Sequence, residues 1–294
     1  MRKFTFILAA FTVVSALSCG RRDTGGEKVI SRGLRFCEST YPYKDGILIA
    51  NFGSKELNPL NGEGMGYIMY YKDGEIIPFI PADGNLNGPK GMYEKEGYLF
   101  ICDVNKIVVY NLDSLQRVPQ TIRFPEGELF VNDLAASGNT LYASVTNTGR
   151  IFSMDISGLD TLGRVIPEVW CSIPGANGIL IDGNTMYVAS YPPDGVTTAE
   201  NVIYEIADIT RPAPEQFIGE TGQYDGIALS SDGRTLYISN WSPAGVAAIN
   251  RSDLQITPLK LGREVTGPAD FTLRGDSLYI PDLPNSCVII KAIK

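Results

Sequence analysis

The sequence predicts an all-β chain folded as a six-bladed β-propeller with four-stranded antiparallel blades. Three observations predict it: a strand motif repeated six times, a turn ahead of each copy, and a composition rich in helix breakers. The motif is an aliphatic residue or Met, an aromatic or aliphatic residue, an aliphatic residue or Ala, and then most often a small residue. Its copies begin at Ile47, Leu99, Leu141, Met186, Leu236 and Leu278, 42 to 52 residues apart. The turns are Lys44-Asp45-Gly46, Glu96-Gly97, Ser137-Gly138-Asn139, Asp182-Gly183-Asn184, Ser231-Asp232-Gly233 and Arg274-Gly275-Asp276, all of hairpin type. With 31 Gly and 18 Pro in 294 residues, one residue in six interrupts regular structure, so frequent turns are expected. Further short apolar runs flank each motif, such as Lys106 to Tyr110, and none has the 3.6-residue spacing of a helical solenoid. Four short strands per repeat of this length are a propeller blade.

The elements follow in order. Arg2 and Lys3 precede an apolar run from Phe4 to Leu17, the form of a secretory leader and too short to span a bilayer. Residues 1–18 are therefore expected to be a lipoprotein signal peptide. Ala16-Leu17-Ser18-Cys19 resembles a bacterial lipobox, with Cys19 as the lipidated residue; the competing reading is ordinary cleavage that leaves a spare thiol. Residues 19–27 form a polar tether and 28–294 the propeller. The expected product is an exported bacterial lipoprotein on the periplasmic or outer side, touching the membrane only through its anchor. The closing blade is expected to join Val288 to Ala292 with a strand near Lys28 to Ser31, which removes an exposed edge. Cys37, Cys102, Cys171 and Cys287 make no CxxC pair, and buried free thiols are preferred over disulfides.

Composition removes several chemistries. The chain has no His, which excludes Ser-His and Cys-His nucleophile pairs, His-ligated zinc and imidazole acid–base catalysis. A formal charge of −8 argues against nucleic acid as a partner. Nothing indicates an oligomer, and a closed propeller is expected as a monomer.

Aligned on the motif, the repeats share a polar column. Nine residues before it stand Glu38, Lys90, Asn132, Asn177 and Ala269; in the fifth repeat a longer turn places Asp225 eleven before. The next positions are Ser39, Gly91, Asp133, Gly178, Gly226 and Asp270. In a propeller the innermost strand lines the axis, so one position per blade forms a ring. Two carboxylates and two amide oxygens in that ring suit a hard divalent cation, Ca²⁺ or Mg²⁺ first, with Zn²⁺ or Mn²⁺ next. A wet channel lined by polar groups would account for the same column without an ion.

The column resembles the senescence marker protein, gluconolactonase and luciferin-regenerating enzyme family of six-bladed propellers. Glu38 in Cys37-Glu38-Ser39-Thr40 looks like the family's first metal ligand. Asn132-Asp133 looks like its substrate-facing Asn-Asp string, Asn177-Gly178 like its metal-ligand Asn, and Asp225-Gly226 like its metal ligand and general base. The resemblance implies a cation on Glu38, Asn177 and Asp225, with Asn132 nearby, and hydrolysis of a lactone or related ester with Asp225 taking a proton from water. Three departures bear on the substrate: Phe130 replaces an Arg common in sugar lactonases, Ser39-Thr40 replaces Gly-Pro, and Lys90 occupies the ring. Lys90 would repel a cation or receive a carboxylate or phosphate. Asp270, Trp241 and Tyr191 complete the expected substrate contacts, with the long loops Phe52 to Met65 and Tyr191 to Asn201 around the mouth. Gly62 to Gly66 lacks the context of a phosphate loop, and the repeated Tyr at 142, 187, 237 and 279 reads as core packing. The alternative function is a non-catalytic propeller that binds a carbohydrate, peptide or protein.

Overall fold

The computed structural model describes residues 27–293. They form six separate four-stranded antiparallel sheets, a six-bladed β-propeller. The first strands of the blades are Cys37–Tyr43, Pro89–Lys95, Val131–Ser137, Ala176–Asp182, Tyr224–Leu229 and Thr272–Arg274. Each of these meets the first strand of the next blade, and Thr272–Arg274 meets Cys37–Tyr43, so the six close a ring around one axis. Closure is sequential except in the last blade. There Lys28–Ile30 supplies the outermost strand, paired antiparallel with Cys287–Ala292 as the sequence predicts.

All six motif copies lie in second strands: Gly46–Asn51, Tyr98–Asp103, Thr140–Val145, Thr185–Ser190, Thr235–Trp241 and Ser277–Asp282. The packing explains why four successive residues are apolar. Six hydrophobic clusters fill the six spaces between blades, and alternate residues of one strand serve opposite neighbours. Leu48 and Ala50 pack toward the second blade, whereas Ile47 and Ile49 pack toward the sixth. Both faces of the strand are therefore buried, which removes the usual alternation of apolar and polar residues. Tyr142, Tyr187 and Tyr237 are buried in these clusters, and Tyr279 packs against another.

The first hairpins turn as the sequence predicts. Lys95 pairs with Tyr98 across Glu96 and Gly97, both at positive φ (50° and 81°), the geometry of a type I′ turn. The fifth blade differs, with a longer turn between Ser230 and Thr235. Cys37, Cys102, Cys171 and Cys287 are free thiols. Among the described residues no helix is long and apolar enough to cross a membrane. Cys19 and the expected signal peptide lie outside the described residues.

Candidate functional site

Each polar residue of the column sits where its inner strand is irregular. The register to the second strand shifts between Cys37 and Ser39, Pro89 and Met92, Val131 and Leu134, Ala176 and Ile179, and Tyr224 and Ile227. Five blades thus carry a bulge at the same point, and a bulge re-aims a side chain out of the alternation of the strand. The bulged residues are Glu38, Lys90-Gly91, Asn132-Asp133, Asn177-Gly178 and Asp225-Gly226. Glycine follows three of the polar residues because the axis is crowded. A Cβ on Gly178 would lie 2.1 Å from the Asp225 carbonyl oxygen, and one on Gly91 would lie 2.3 Å from Asp133 Oδ1.

Above the bulges opens a cavity of about 240 Å³. Glu38, Lys90, Asn132, Asn177 and Asp225 all line it. Its walls are Phe52, Leu57, Pro59, Phe130, Tyr191, Pro193, Trp241 and Leu283. The loop from Phe52 and the loop from Tyr191 both contribute, as the sequence predicts. Asp270 is not part of the lining; it accepts a hydrogen bond from the Ser39 hydroxyl across the junction of the last and first blades.

The polar atoms at the cavity floor share one property. Glu38 Oε2, Asn132 Oδ1, Asn177 Oδ1 and Asp225 Oδ1 are buried and have no hydrogen-bond partner. Only Glu27 Oε1 is in the same condition among the described residues, and it lies 2.9 Å from Lys291 Nζ. Buried polar atoms are ordinarily paired, because an unmet acceptor costs about 1–3 kcal/mol. Four such oxygens on four blades therefore mark a place built to receive something.

Neighbouring groups fix how two of the oxygens point. Thr146 uses its hydroxyl proton on the Ala176 carbonyl (3.0 Å), so its Oγ1 accepts from Asn132 Nδ2 at 3.2 Å, which turns Asn132 Oδ1 inward. Trp241 Nε1 donates to Asp225 Oδ2 at 2.8 Å and leaves Oδ1 free. Trp241 also packs edge-on against Tyr191, with ring centroids 5.9 Å apart. Trp241 thus both lines the cavity and orients Asp225. Sequence reasoning missed Thr146 and Leu283, and it named the loops that carry Phe52, Leu57, Pro59 and Pro193 without singling out these residues. Thr146 stands opposite Phe130, one residue beyond the Val131–Val145 pair, and only the bulge at Asn132 brings the two side chains together, so the repeat pattern gave no signal for it.

The electrostatics follow from burial. The Glu38 carboxyl is raised well above its ordinary range, first by burial and then by Asp225, against the opposing pull of Lys90. Burial pushes Asp225 up to about 7, partly offset by the Trp241 hydrogen bond. The Lys90 ammonium is pushed down by burial and held up chiefly by Glu38. It is fully buried and donates to the carbonyls of Gly88 (2.8 Å) and Pro59 (3.1 Å). The faces of Phe130 and Phe52 flank it at 5.1 and 5.4 Å. Among the described residues no three His, Cys, Asp or Glu side chains converge as metal ligands. A cation here would need the amide oxygens beside the two carboxylates, and four inward oxygens without partners match that requirement.

One residue further along the strands the polar groups are satisfied. Asp133 accepts from Leu134 N and Ile179 N, both at 2.7 Å, and Asp270 from Ser39. A larger depression, of about 880 Å³, lies at the opposite end beside the hairpin of the fifth blade. Its Arg251 is already engaged by Asp182, Tyr187 and the Gly233 carbonyl.

No protein-family model matches the chain, and no curated protein does. Solved structures resemble it in fold. The nidogen/laminin complex contains a chain with a TM-score of 0.63 and 15% identity, covering 91% of this chain and 90% of that one. Catalytically inactive virginiamycin B lyase from Staphylococcus aureus, solved with quinupristin, gives 0.60 and 12%, covering 91% and 100%. A protein of unknown function from Bacteroides thetaiotaomicron gives 0.61 and 11%, covering 89% and 70%. At these identities the likeness extends to the propeller fold.

Proposed function

We propose that this propeller is a gluconolactonase-like, divalent-cation-dependent hydrolase of a lactone or related ester. The observation that carries the reading is the set of four unpartnered buried oxygens on Glu38, Asn132, Asn177 and Asp225. Glu38, Asn177 and Asp225 would hold Ca²⁺ or Mg²⁺, with Asn132 beside it, and the ion would supply positive charge to polarise the acyl carbonyl. Asp225 is held through Oδ2 by Trp241, and its free Oδ1 accepts the proton of the attacking water. The water hydroxyl joins the acyl carbon, the acyl C–O bond breaks, and Asp225 returns the proton to the leaving oxygen.

Lys90 supports a second reading, a non-catalytic propeller that binds a ligand or partner, because a buried cation beside Glu38 opposes a metal ion. The structural neighbours include a lyase with a small molecule and a member of a protein complex, so both roles occur on this fold. Lactone hydrolysis assayed with and without chelator separates the readings. The hydrolase reading expects activity that chelator abolishes, Ca²⁺ or Mg²⁺ restores, and Asp225→Asn removes. Absence of hydrolysis across a lactone panel at saturating cation would leave the binding reading. Export and lipid anchoring at Cys19 complete the proposal. Cys19→Ala should move the protein out of the membrane fraction, and unchanged partitioning would refute the anchor.

A further inference from the structure

The cavity pairs a polar floor with an apolar wall and lip, and this contrast bears on what it takes. Above the floor stand Phe52, Leu57, Pro59, Phe130, Pro193 and Leu283. Of the donors on the lining, Trp241 Nε1 is given to Asp225, Lys90 to two carbonyls and Asn132 Nδ2 to Thr146, which leaves the Tyr191 hydroxyl and Asn177 Nδ2 for a ligand. A sugar lactone carries hydroxyls on most ring carbons, and against this wall they would lose water without gaining partners. The volume, about 240 Å³, is below the about 300 Å³ at which pockets for drug-sized ligands begin. It holds a small ring and little more. Leu57, which lines the cavity, is 38% accessible, and Val196, three residues after the lining residue Pro193 in the same loop, is 61% accessible. Apolar side chains on the two loops that line the cavity, above a floor of unpartnered oxygens, fit a ligand with a carbonyl head and an apolar tail.

We propose that the substrate is a small lactone or ester bearing an apolar substituent, its carbonyl at the floor and its substituent along Phe52 and Phe130 and over the Leu57 and Val196 lip. This rests on the hydrolase reading for turnover but makes its own claim about binding. The reaction is the same balanced addition of water across the acyl C–O bond.

The test uses δ-lactones bearing no substituent, a propyl or a pentyl chain, together with gluconolactone. A parallel arm titrates the corresponding lactams, which are not hydrolysed, against the fluorescence of Trp241 in a Trp170→Phe background. We expect kcat/KM and lactam affinity to rise about threefold per added methylene, with gluconolactone at least about tenfold poorer than the unsubstituted ring. Leu57→Asn with Val196→Asn, both at exposed positions, should flatten the dependence on chain length. If lactams show the length dependence but no lactone is turned over, the hydrolase reading fails and the ligand class stands. If lactones are hydrolysed in a chelator-sensitive way with no length dependence, or with gluconolactone preferred, the ligand class is overturned and the hydrolase stands. Lactam affinity that ignores chain length overturns it regardless of turnover.

Discussion

One residue of inner strand separates two buried polar layers that behave in opposite ways. In the upper layer Glu38, Asn132, Asn177 and Asp225 each carry an oxygen with no partner. In the lower layer Asp133 and Asp270 are equally buried, but each is held by neighbours, Asp133 by two backbone N–H groups and Asp270 by Ser39. Both layers are buried and each holds two carboxyl groups, so neither burial nor the presence of acids identifies the site. Unmet hydrogen-bonding capacity does, because a buried acceptor left open is tolerated only where something else completes it. The lower layer ties adjacent blades together, and the upper layer faces the cavity.

The largest expected contrast comes from removing one acid from each layer. Asp225→Ala should weaken Ca²⁺ binding by about a hundredfold or more, the loss of a charged ligand, while the chelated protein loses only the one Trp241 hydrogen bond and so less stability than Asp133→Ala. Asp133→Ala should do the reverse at about pH 5. It strands the Leu134 and Ile179 N–H groups at about 1–3 kcal/mol each, which thermal melting would show as a lowered Tm. Similar stability losses in both variants would erase the distinction between the layers.

Titration gives the next effect. Burial places both Asp225 and Asp133 at about 7, above the ordinary carboxylate value. A carboxyl raised on folding favours the fold while protonated. Its contribution is complete below about pH 4 and is lost as pH rises through about 7. The Tm of the chelated protein should therefore fall from about pH 5 to about pH 8, and saturating Ca²⁺ should flatten that fall. A Tm that climbs over the same interval without cation would contradict the burial argument.

Lys90 tests the upper layer from the other side. Lys90→Met removes a buried cation beside Glu38 and should tighten Ca²⁺ binding by about tenfold. Weaker binding in this variant, measured by titration calorimetry, would mean that Lys90 supports the oxygens rather than opposing an ion. The smallest effect is expected from Thr146→Val. Loss of its Oγ1 frees the Asn132 amide, so cation affinity should drop by a few fold at a stability cost of about 1 kcal/mol. No change in affinity would remove Asn132 from the ligand set.

The fold was legible because its unit is short and repeated. Each second strand is buried on both faces, so Leu99 to Cys102 or Leu141 to Ser144 reads as a continuous apolar run that recurs once per blade. The column was legible for a related reason. The bulges occur at the same point in five blades, so they leave the alignment in register while changing where Glu38 or Asn177 points. That constancy also hid them, since a bulge shared by five of the six repeats produces no visible insertion. The alignment already set the two layers apart as successive positions, but it did not show which of them is left without partners. Asp133 and Asp225 fall at successive alignment positions, and it is the placement of the Ile179 N–H and the Trp241 indole that shows which acid is saturated and which keeps an oxygen free. The walls were harder still, because Leu57, Pro59 and Pro193 stand in loops that follow no period.

The central claim is that four oxygens on four blades together receive a divalent cation. Titration calorimetry of Ca²⁺ and Mg²⁺ into the chelated wild-type protein at about pH 8, where Asp225 is ionised, tests it most directly. One site per chain, lost in Asp225→Ala, is the predicted result. No binding heat for either ion, together with no metal in the protein as purified, would contradict the account.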